Sequence, residues 1–596
     1  MTRPVVSSWG LSRSRDEGAR WPVLAAWCCF IALALFFLFY LTPRKGAFFS
    51  DEGWYLYNAL RALRHGELDL FLPQAPSYLV NTAFMTLLGE GYLPLRWAYT
   101  LCSLLAGAAV MAGVGRGEPP MLRALPLGLS CVLVAGLSSL VNYQNGPTLF
   151  LMLGLGLNWL ADGLGAAWAA RAARLGAGLA LACSAMVNLT VAPGLVLVCL
   201  WLLWTSWRDH DLGRALVPVS CGVFLAAMLG AYLYALGWQE MFRVPKGHGF
   251  HYGRILEILA LCAVWPGCWS TLYVMGRISG GGRGRFSQAA RTMLARPALW
   301  GLGLATLAAA LHMAKAMLVI AAVSPPFPLT LLATVNPVII LPQYAYAVFC
   351  LAVFSGDKDA PQHRRGVFCA LALLVYWAQQ TFYSDVPVNF SMVFASGYMM
   401  ALGLGLLSLR SGPGDRAVIR LGAAFFVGCC VYFLFTGGWT TENTILGPKA
   451  EVDHPRFRGI LESPERVEMF ARLKKAYDEC GCADKTLVSF RNTSLLYYFL
   501  DHKAPERLSY MSQNFGMYRE EVRRVLDAGG PWCVFYSENI KLISNKAEER
   551  ELLDMVEARA SRRLDLGNDP PRHLYDDFVV FTGPKAEPER KAEPGQ

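Results

Sequence analysis

Two adjacent carboxylates, Asp51 and Glu52, stand just after the first hydrophobic stretch, in Phe48-Phe49-Ser50-Asp51-Glu52-Gly53-Trp54-Tyr55-Leu56-Tyr57-Asn58-Ala59. A carboxylate within hydrogen-bond reach of a hydroxyl can take its proton as a general base. The same pair also fits a plainer role. Acids offset the positive end of a helix dipole, and Ser50 or Asp51 can cap a helix N-terminus. Both readings are open on these residues alone. The segment 52–65 has an apolar and aromatic side and carries Arg61, Arg64 and His65. That pattern predicts an amphipathic helix in the headgroup layer.

Further polar groups could serve the same site. The loop Met241–Arg254 holds Arg243, Lys246, His248, His251 and Arg254. Such a cluster can neutralise a phosphate, or anchor the chain to anionic lipid headgroups. Arg96 opens the second hydrophobic stretch; it can meet the same phosphate, or snorkel at a helix end. Asn142 and Tyr143, and Tyr383 and Asp385, lie in turns between later hydrophobic stretches and could line a shared cavity, as binding groups or as solvated turn residues. His312 and Lys315 lie inside a hydrophobic stretch, where ionisable groups are functional candidates by default. No cysteine or histidine spacing reads as a metal site.

The elements that must position these residues cross a membrane. The chain has 596 residues, 54% hydrophobic and 16% charged, with a mean hydropathy of +0.34. Soluble domains are about 45–50% apolar and about 25% charged. The excess excludes a soluble enzyme, a disordered chain and a fibrous protein. Apolar windows of ~20 residues fall near 21–42, 95–115, 121–140, 147–163, 174–188, 190–207, 214–235, 255–276, 297–322, 336–354, 366–382, 388–409 and 417–436. They predict an α-helical polytopic membrane protein of about thirteen spans. The pair 174–188 and 190–207 reads either as two thin helices or as one broken re-entrant element.

Residues 1–440 hold 30 Lys and Arg against 17 Asp and Glu, a net +13; residues 441–596 hold 24 against 27, a net −3. The cations recur in alternate loops, which orients the chain rather than preparing it for nucleic acid. The expected layout is a cytoplasmic N-terminus at 1–20, a membrane domain at 21–436 whose first outer loop is 43–94, an exported domain at 437–583 and a disordered tail at 584–596. The first span reads as a retained anchor, because no small-residue cleavage site precedes Pro43.

The exported part reads as an α/β domain. Helix-like stretches cover 463–479, 517–527 and 546–561, and strand-like runs are Thr486–Phe490, Trp532–Tyr536 and Phe578–Phe581. Their alternation predicts a parallel sheet with covering helices. No glycine-rich phosphate loop follows these strands, which points to an accessory or acceptor-binding role. Three of the 16 cysteines lie in this part. Outside the reducing cytoplasm Cys533 can pair with Cys480 or with Cys482.

The run from Asp51 to Arg96, with Gly66-Glu67, Leu72-Pro73, Pro76 and Leu87-Leu88-Gly89 between, resembles the first outer loop of GT-C class membrane glycosyltransferases. Within that class it is similar to the bacterial branch with aminoarabinose transferase and the protein-mannosyltransferase-like proteins. The resemblance covers roughly the first 110 residues and the topology. It implies an inverting glycosyltransferase of the bacterial inner membrane. A polyprenyl-phosphate-linked sugar is then the donor and an envelope lipid or glycan, such as lipopolysaccharide, the acceptor; no nucleic acid is a partner. It assigns the base role to Asp51 and leaves Glu52 to orient the acceptor or to cap. One departure stands out: where these relatives carry a Lys before a Pro pair, this chain has Gln74-Ala75-Pro76-Ser77. The phosphate must therefore find its positive charge elsewhere. No cofactor is required; a divalent cation stays open, although no second acidic ligand is evident. A transporter, flippase or polymerase for lipid-linked glycans is the alternative class. Transporters tend to show repeated halves and midplane charges, and this chain has no repeated half.

Overall fold

A computed structural model describes residues 17–47, 51–66, 75–115, 140, 146–188, 191–236, 448–490, 493–505, 508, 515–537, 546–566 and 578–583. These residues are mostly helical. The expected spans at 121–140 and from 255 to 436 lie outside them. Among the described residues four helices are long and apolar enough to cross a membrane: Val23–Arg44, Tyr92–Gly113, Ala167–Val187 and Leu212–Ala231.

Helix α1 (Glu17–Phe36) runs on through a π-helical turn, Phe37–Leu41, and one last turn, Thr42–Arg44. Thr42 donates its backbone N–H and its hydroxyl, the latter at 2.8 Å, to the Phe37 carbonyl. The wide turn leaves the Leu38 carbonyl to accept from the Trp97 indole at 3.0 Å. The first span is thereby tied to helix α4 (Tyr92–Gly115). Between them lie α2 (Asp51–His65) and α3 (Ala75–Leu88). Helix α2 matches the expected 52–65 segment. Helix α3 begins within the stretch Gln74-Ala75-Pro76-Ser77 and was not evident in the sequence as a helix.

The remaining described helices of this part are α5 (Gly146–Ala161), α6 (Ala167–Val187), α7 (Ala192–Arg208) and α8 (Leu212–Leu236); α5 and α7 are apolar but shorter than a span. The pair 174–188 and 190–207 forms two helices, α6 and α7. Asn188, in extended conformation, ends the first, and Pro193 at the start of α7 suits a new helix. Val110, Met111, Met152, Leu155, Leu181, Ala185 and Val217 form a common buried core. Leu24, Ile31, Leu35 and Phe39 on α1 face outward, as lipid-facing side chains would.

The C-terminal part is an α/β unit. It comprises β1 (Ala450–Glu451), β2 (Leu461–Glu462), α9 (Pro464–Glu479), β3 (Thr486–Ser489), α10 (Leu495–Phe499), α11 (Phe515–Asp527), β4 (Trp532–Ser537), α12 (Lys546–Glu557), β5 (Arg562–Asp565) and β6 (Phe578–Thr582). Ser463 caps α9 by accepting from the Arg466 N–H. The four-stranded sheet has the order β3-β4-β6-β5. Only β3 and β4 are parallel; β4 with β6 and β5 with β6 are antiparallel. The parallel sheet expected from the sequence is thus a mixed one. The reason is β5, a charged edge strand (Arg562, Arg563, Asp565) with no apolar run to mark it. Cys482 and Cys533 form a disulfide with a Cα separation of 5.8 Å, which selects one of the two pairings left open, and Cys480 is free and buried.

The first loop and this α/β unit share one apolar core. Leu56, Tyr57, Ala59 and Leu60 of α2 and Tyr92, Leu93 and Leu95 of α4 join Phe457, Ile460, Phe470, Leu473, Tyr497, Tyr498 and Phe535. Helix α2 lies directly on α10. A Cβ on Gly53 would fall 2.3 Å from the Leu495 backbone nitrogen and 2.5 Å from its Cα. Tyr57 accepts from the Ala504 N–H at 2.7 Å, and its ring meets Tyr497 with centroids 5.2 Å apart.

Gly53→Ala is expected to push α2 off α10 and to cost about 1–3 kcal/mol. Thermal unfolding of the purified chain checks this, and an unchanged midpoint would contradict the close approach. His454 gives a second expectation. Its ring lies 4.6 Å from Phe499, and its Nδ1 accepts from the Arg456 N–H at 3.3 Å. Burial first, then the nearby Arg456 and Lys474 cations, lower its pKa to about 4. The folded chain thus holds this histidine neutral, and its stability contribution is complete above about pH 6.5. It is lost progressively as the pH falls from 6.5 toward 4. His454→Asn keeps a capping oxygen without the titration and should flatten the fall in melting temperature over that window; an identical slope would refute it.

Candidate functional site

Three of the residues singled out in the sequence, Asp51, Glu52 and Arg96, lie at or against the start of α2. Asp51 is its first residue and Glu52 its second. Glu52 accepts from Arg96 Nη2 at 2.8 Å and from the Tyr92 hydroxyl in a short hydrogen bond. Arg96 Nη2 also donates to the Tyr92 hydroxyl at 2.8 Å, and its guanidinium carbon lies 4.2 Å from the Tyr92 ring centroid. Tyr92 and Arg96 are four residues apart on α4, so the helix stacks them on one face. Tyr92 in turn meets Phe457 edge-on, with centroids 5.5 Å apart.

Arg96 is 1% exposed at its side chain and Glu52 13%. A charge moved out of water at this depth needs a partner, and removing one member of such a pair typically costs about 3–5 kcal/mol. Arg96 is therefore neither a snorkelling residue nor a surface cation. Its Nε and Nη1 are buried without hydrogen-bond partners among the described residues.

Lys45, at the end of the first span, belongs to the same electrostatic group. Burial first, then the Arg96 charge, hold its ammonium far below the ordinary lysine range, at about 7, and Glu52 opposes them. Glu52 thus acts on both Lys45 and Arg96, and Glu462 acts on Arg96 as well.

Sequence reading joined Glu52 and Arg96 only through a family resemblance, not as a pair. It passed over Lys45 and Tyr92. The spacing of Tyr92 and Arg96 at the mouth of a span was the available signal. Arg243, Lys246, His248, His251, Arg254, Asn142, Tyr143, Tyr383 and Asp385 lie outside the described residues, as do His312 and Lys315. Among the described residues, no three His, Cys, Asp or Glu side chains come together in a way that could hold a metal ion.

Around this pair the C-terminal unit grips the loop. Arg64 donates to Glu90 from Nε at 2.9 Å and to Asp501 from Nη1 at 2.9 Å. Arg456 reaches Asp501 at 2.6 Å and donates to the Tyr498 carbonyl at 2.5 Å, and the Tyr498 hydroxyl donates to the Glu90 carbonyl. Burial pushes the Tyr498 phenol above the ordinary range, so it stays a donor.

No protein-family model matches the chain. No curated protein matches it either. The solved structures similar to it are of an aminoarabinose transferase with the GT-C fold. They are of ArnT from Cupriavidus metallidurans. The apo state is 15% identical, covers 94% of this chain and 100% of that one, and has a TM-score of 0.43. The form bound to undecaprenyl phosphate is 16% identical, covers 94% and 99%, and has the same TM-score of 0.43.

Arg96→Met is expected to strand the Glu52 carboxylate and to lower stability by about 3–5 kcal/mol. Adding Glu52→Gln to that variant should recover at least about 1 kcal/mol. A four-protein denaturation cycle measures the coupling; strict additivity would mean that the two side chains do not act as an energetic unit.

Proposed function

We propose that this chain is an inverting glycosyltransferase that moves a sugar from a polyprenyl-phosphate donor to an envelope lipid or glycan at the outer face of a bacterial inner membrane. The observation that carries the reading is the anchored start of α2. Glu52 is fixed to the second span by Arg96 and Tyr92, so the preceding residue, Asp51, has a set place at the helix N-terminus. That is the condition a general base must meet.

In the proposed step the acceptor hydroxyl gives its proton to Asp51 while its oxygen bonds to the anomeric carbon. The bond from that carbon to the donor phosphate breaks, and the phosphate leaves with the electron pair. One displacement inverts the centre, so no enzyme nucleophile is needed. The leaving phosphate requires preorganised positive charge in a dry site. The remaining N–H groups of Arg96 and the Lys45 ammonium fit that need. This also answers the missing lysine at Gln74-Ala75-Pro76-Ser77. Arg243, Lys246, His248, His251 and Arg254 are proposed to extend the positive charge. Asn142, Tyr143, Tyr383 and Asp385 are proposed to line the acceptor side. The further layout proposed is a bundle of about thirteen spans with its N-terminus inside and the C-terminal unit outside.

The test uses the full chain in lipid with a panel of polyprenyl-phosphate sugars and an envelope lipid extract, following release of polyprenyl phosphate. Wild type should release it, and Asp51→Asn should lower the rate by roughly 10²–10⁴-fold with an unchanged melting temperature. Near-normal turnover by Asp51→Asn would remove the base assignment. Transbilayer movement of the lipid-linked sugar without release would replace the transferase by a flippase.

A further inference from the structure

Between the end of the first span and α2 the chain runs through Gly46 and Ala47, and there it meets two charged side chains from some 415 residues further on. The Ala47 N–H donates to Glu462 Oε1 in a short hydrogen bond, and the Ala47 carbonyl accepts from Arg466 Nη2 at 2.9 Å. Both backbone polar groups of Ala47 are thus held by the C-terminal unit. Glu462 and Arg466 are themselves buried, at 0% and 4% side-chain exposure, and stand 3.9 Å apart, one turn from each other on β2 and α9. Gly46 has a φ of +70°, and a Cβ there would lie 2.6 Å from both Glu462 carboxylate oxygens. The segment is therefore shaped to let this carboxylate reach the backbone. Charges of this kind are not placed in a core for stability, because apolar residues of the same volume pack there at no loss. What they supply is a defined position for the peptide they hold.

We infer that Glu462 and Arg466 are positioning residues for the transfer reaction: by fixing the Ala47 peptide four residues before α2 they set the place of Asp51, so the C-terminal unit is part of the catalytic apparatus rather than only an acceptor-binding appendage. The inference rests on the transferase reading above. A misplacement of about 1 Å at a reacting group can cost about 10²-fold in rate, so a loosened Ala47 should be read in kcat.

The experiment compares full-length wild type, Glu462→Gln and the double variant Glu462→Leu with Arg466→Met in the polyprenyl-phosphate release assay. Hydrogen exchange of the 44–52 segment is measured in parallel. The double replacement removes both charges together, so neither is stranded by loss of the other, and it frees the Ala47 N–H and carbonyl that they hold. Glu462→Gln keeps the oxygen that accepts from Ala47. The double variant is expected to lose about ten- to hundred-fold in kcat, with the KM values for donor and acceptor within about three-fold. Exchange should rise at 44–52, while the strands around the Cys482–Cys533 disulfide exchange as in wild type. Glu462→Gln, which keeps the accepting oxygen but removes the charge beside Arg466, should fall between wild type and the double variant in kcat. Wild-type kcat in the double variant would overturn the inference and leave the transferase reading standing. A raised acceptor KM with unchanged kcat would also overturn it, in favour of acceptor binding. A wild type that releases nothing from any donor would overturn the transferase reading itself and the inference with it.

Discussion

A guanidinium cannot be taken out of water alone, and much of the described architecture follows from where Arg96 is put. It lies fully enclosed at the mouth of the second span. Glu52 answers it, and Tyr92 bridges the two. Because Glu52 is the second residue of α2, the electrostatic demand of one buried cation decides where that whole helix begins. The aromatic and apolar side of α2 then has a defined direction, and it faces the C-terminal unit. Loop, span and C-terminal unit are joined around one charge.

The enclosure needs walls, and the C-terminal unit provides several. Phe457 and Tyr498 flank the Tyr92 ring, Leu495 lies against Gly53, and Glu462 and Arg466 hold the Ala47 peptide. Each is a short-range contact with little slack. The apolar core common to the loop and the C-terminal unit makes the contacts cooperative, since none can be opened without exposing part of it. The ionic contacts at the rim, Arg64 with Glu90 and Asp501, are more exposed and are worth less individually.

The sequence was most readable where one physical signal dominates. Long apolar runs located the first span, α4 and α8 within a few residues and α6 at its C-terminal end, seven residues short at its start, because crossing a bilayer leaves few compositional options. The amphipathic α2 was readable from its charged and aromatic sides. Strands β3, β4 and β6 were readable as apolar runs between turn residues. Strand β5 was not, because an edge strand can be charged on both faces. Helix α3 was not, because Pro76 at its start reads as a loop signal although proline suits a first helical turn. At the site, the importance of Asp51, Glu52 and Arg96 was legible from residue type and order. Their pairing was not, and neither were Lys45, Gly46, Gly53, Glu462 and Arg466. Lys45 gains its role from Glu52 and Arg96 nearby in the chain, and the other four only through contacts across some 400 residues, for which periodicity holds no information.

The shared core also orders events in time. Helix α2 is synthesised before the groups that cover its apolar face, Tyr497 and Leu495 among them, which come more than 400 residues later. Closing so long a loop costs little more entropy than closing one half its length; the burden is delay rather than free energy. Throughout elongation the nascent helix must rest on something else, and a membrane surface suits its amphipathic face. A chain cut short before its C-terminal unit keeps that face uncovered and lacks the grip on Ala47. The apolar cover of this helix in the fold is drawn from residues between Phe457 and Phe535 as well as from the spans beside it, so its burial depends on chain far from it in sequence.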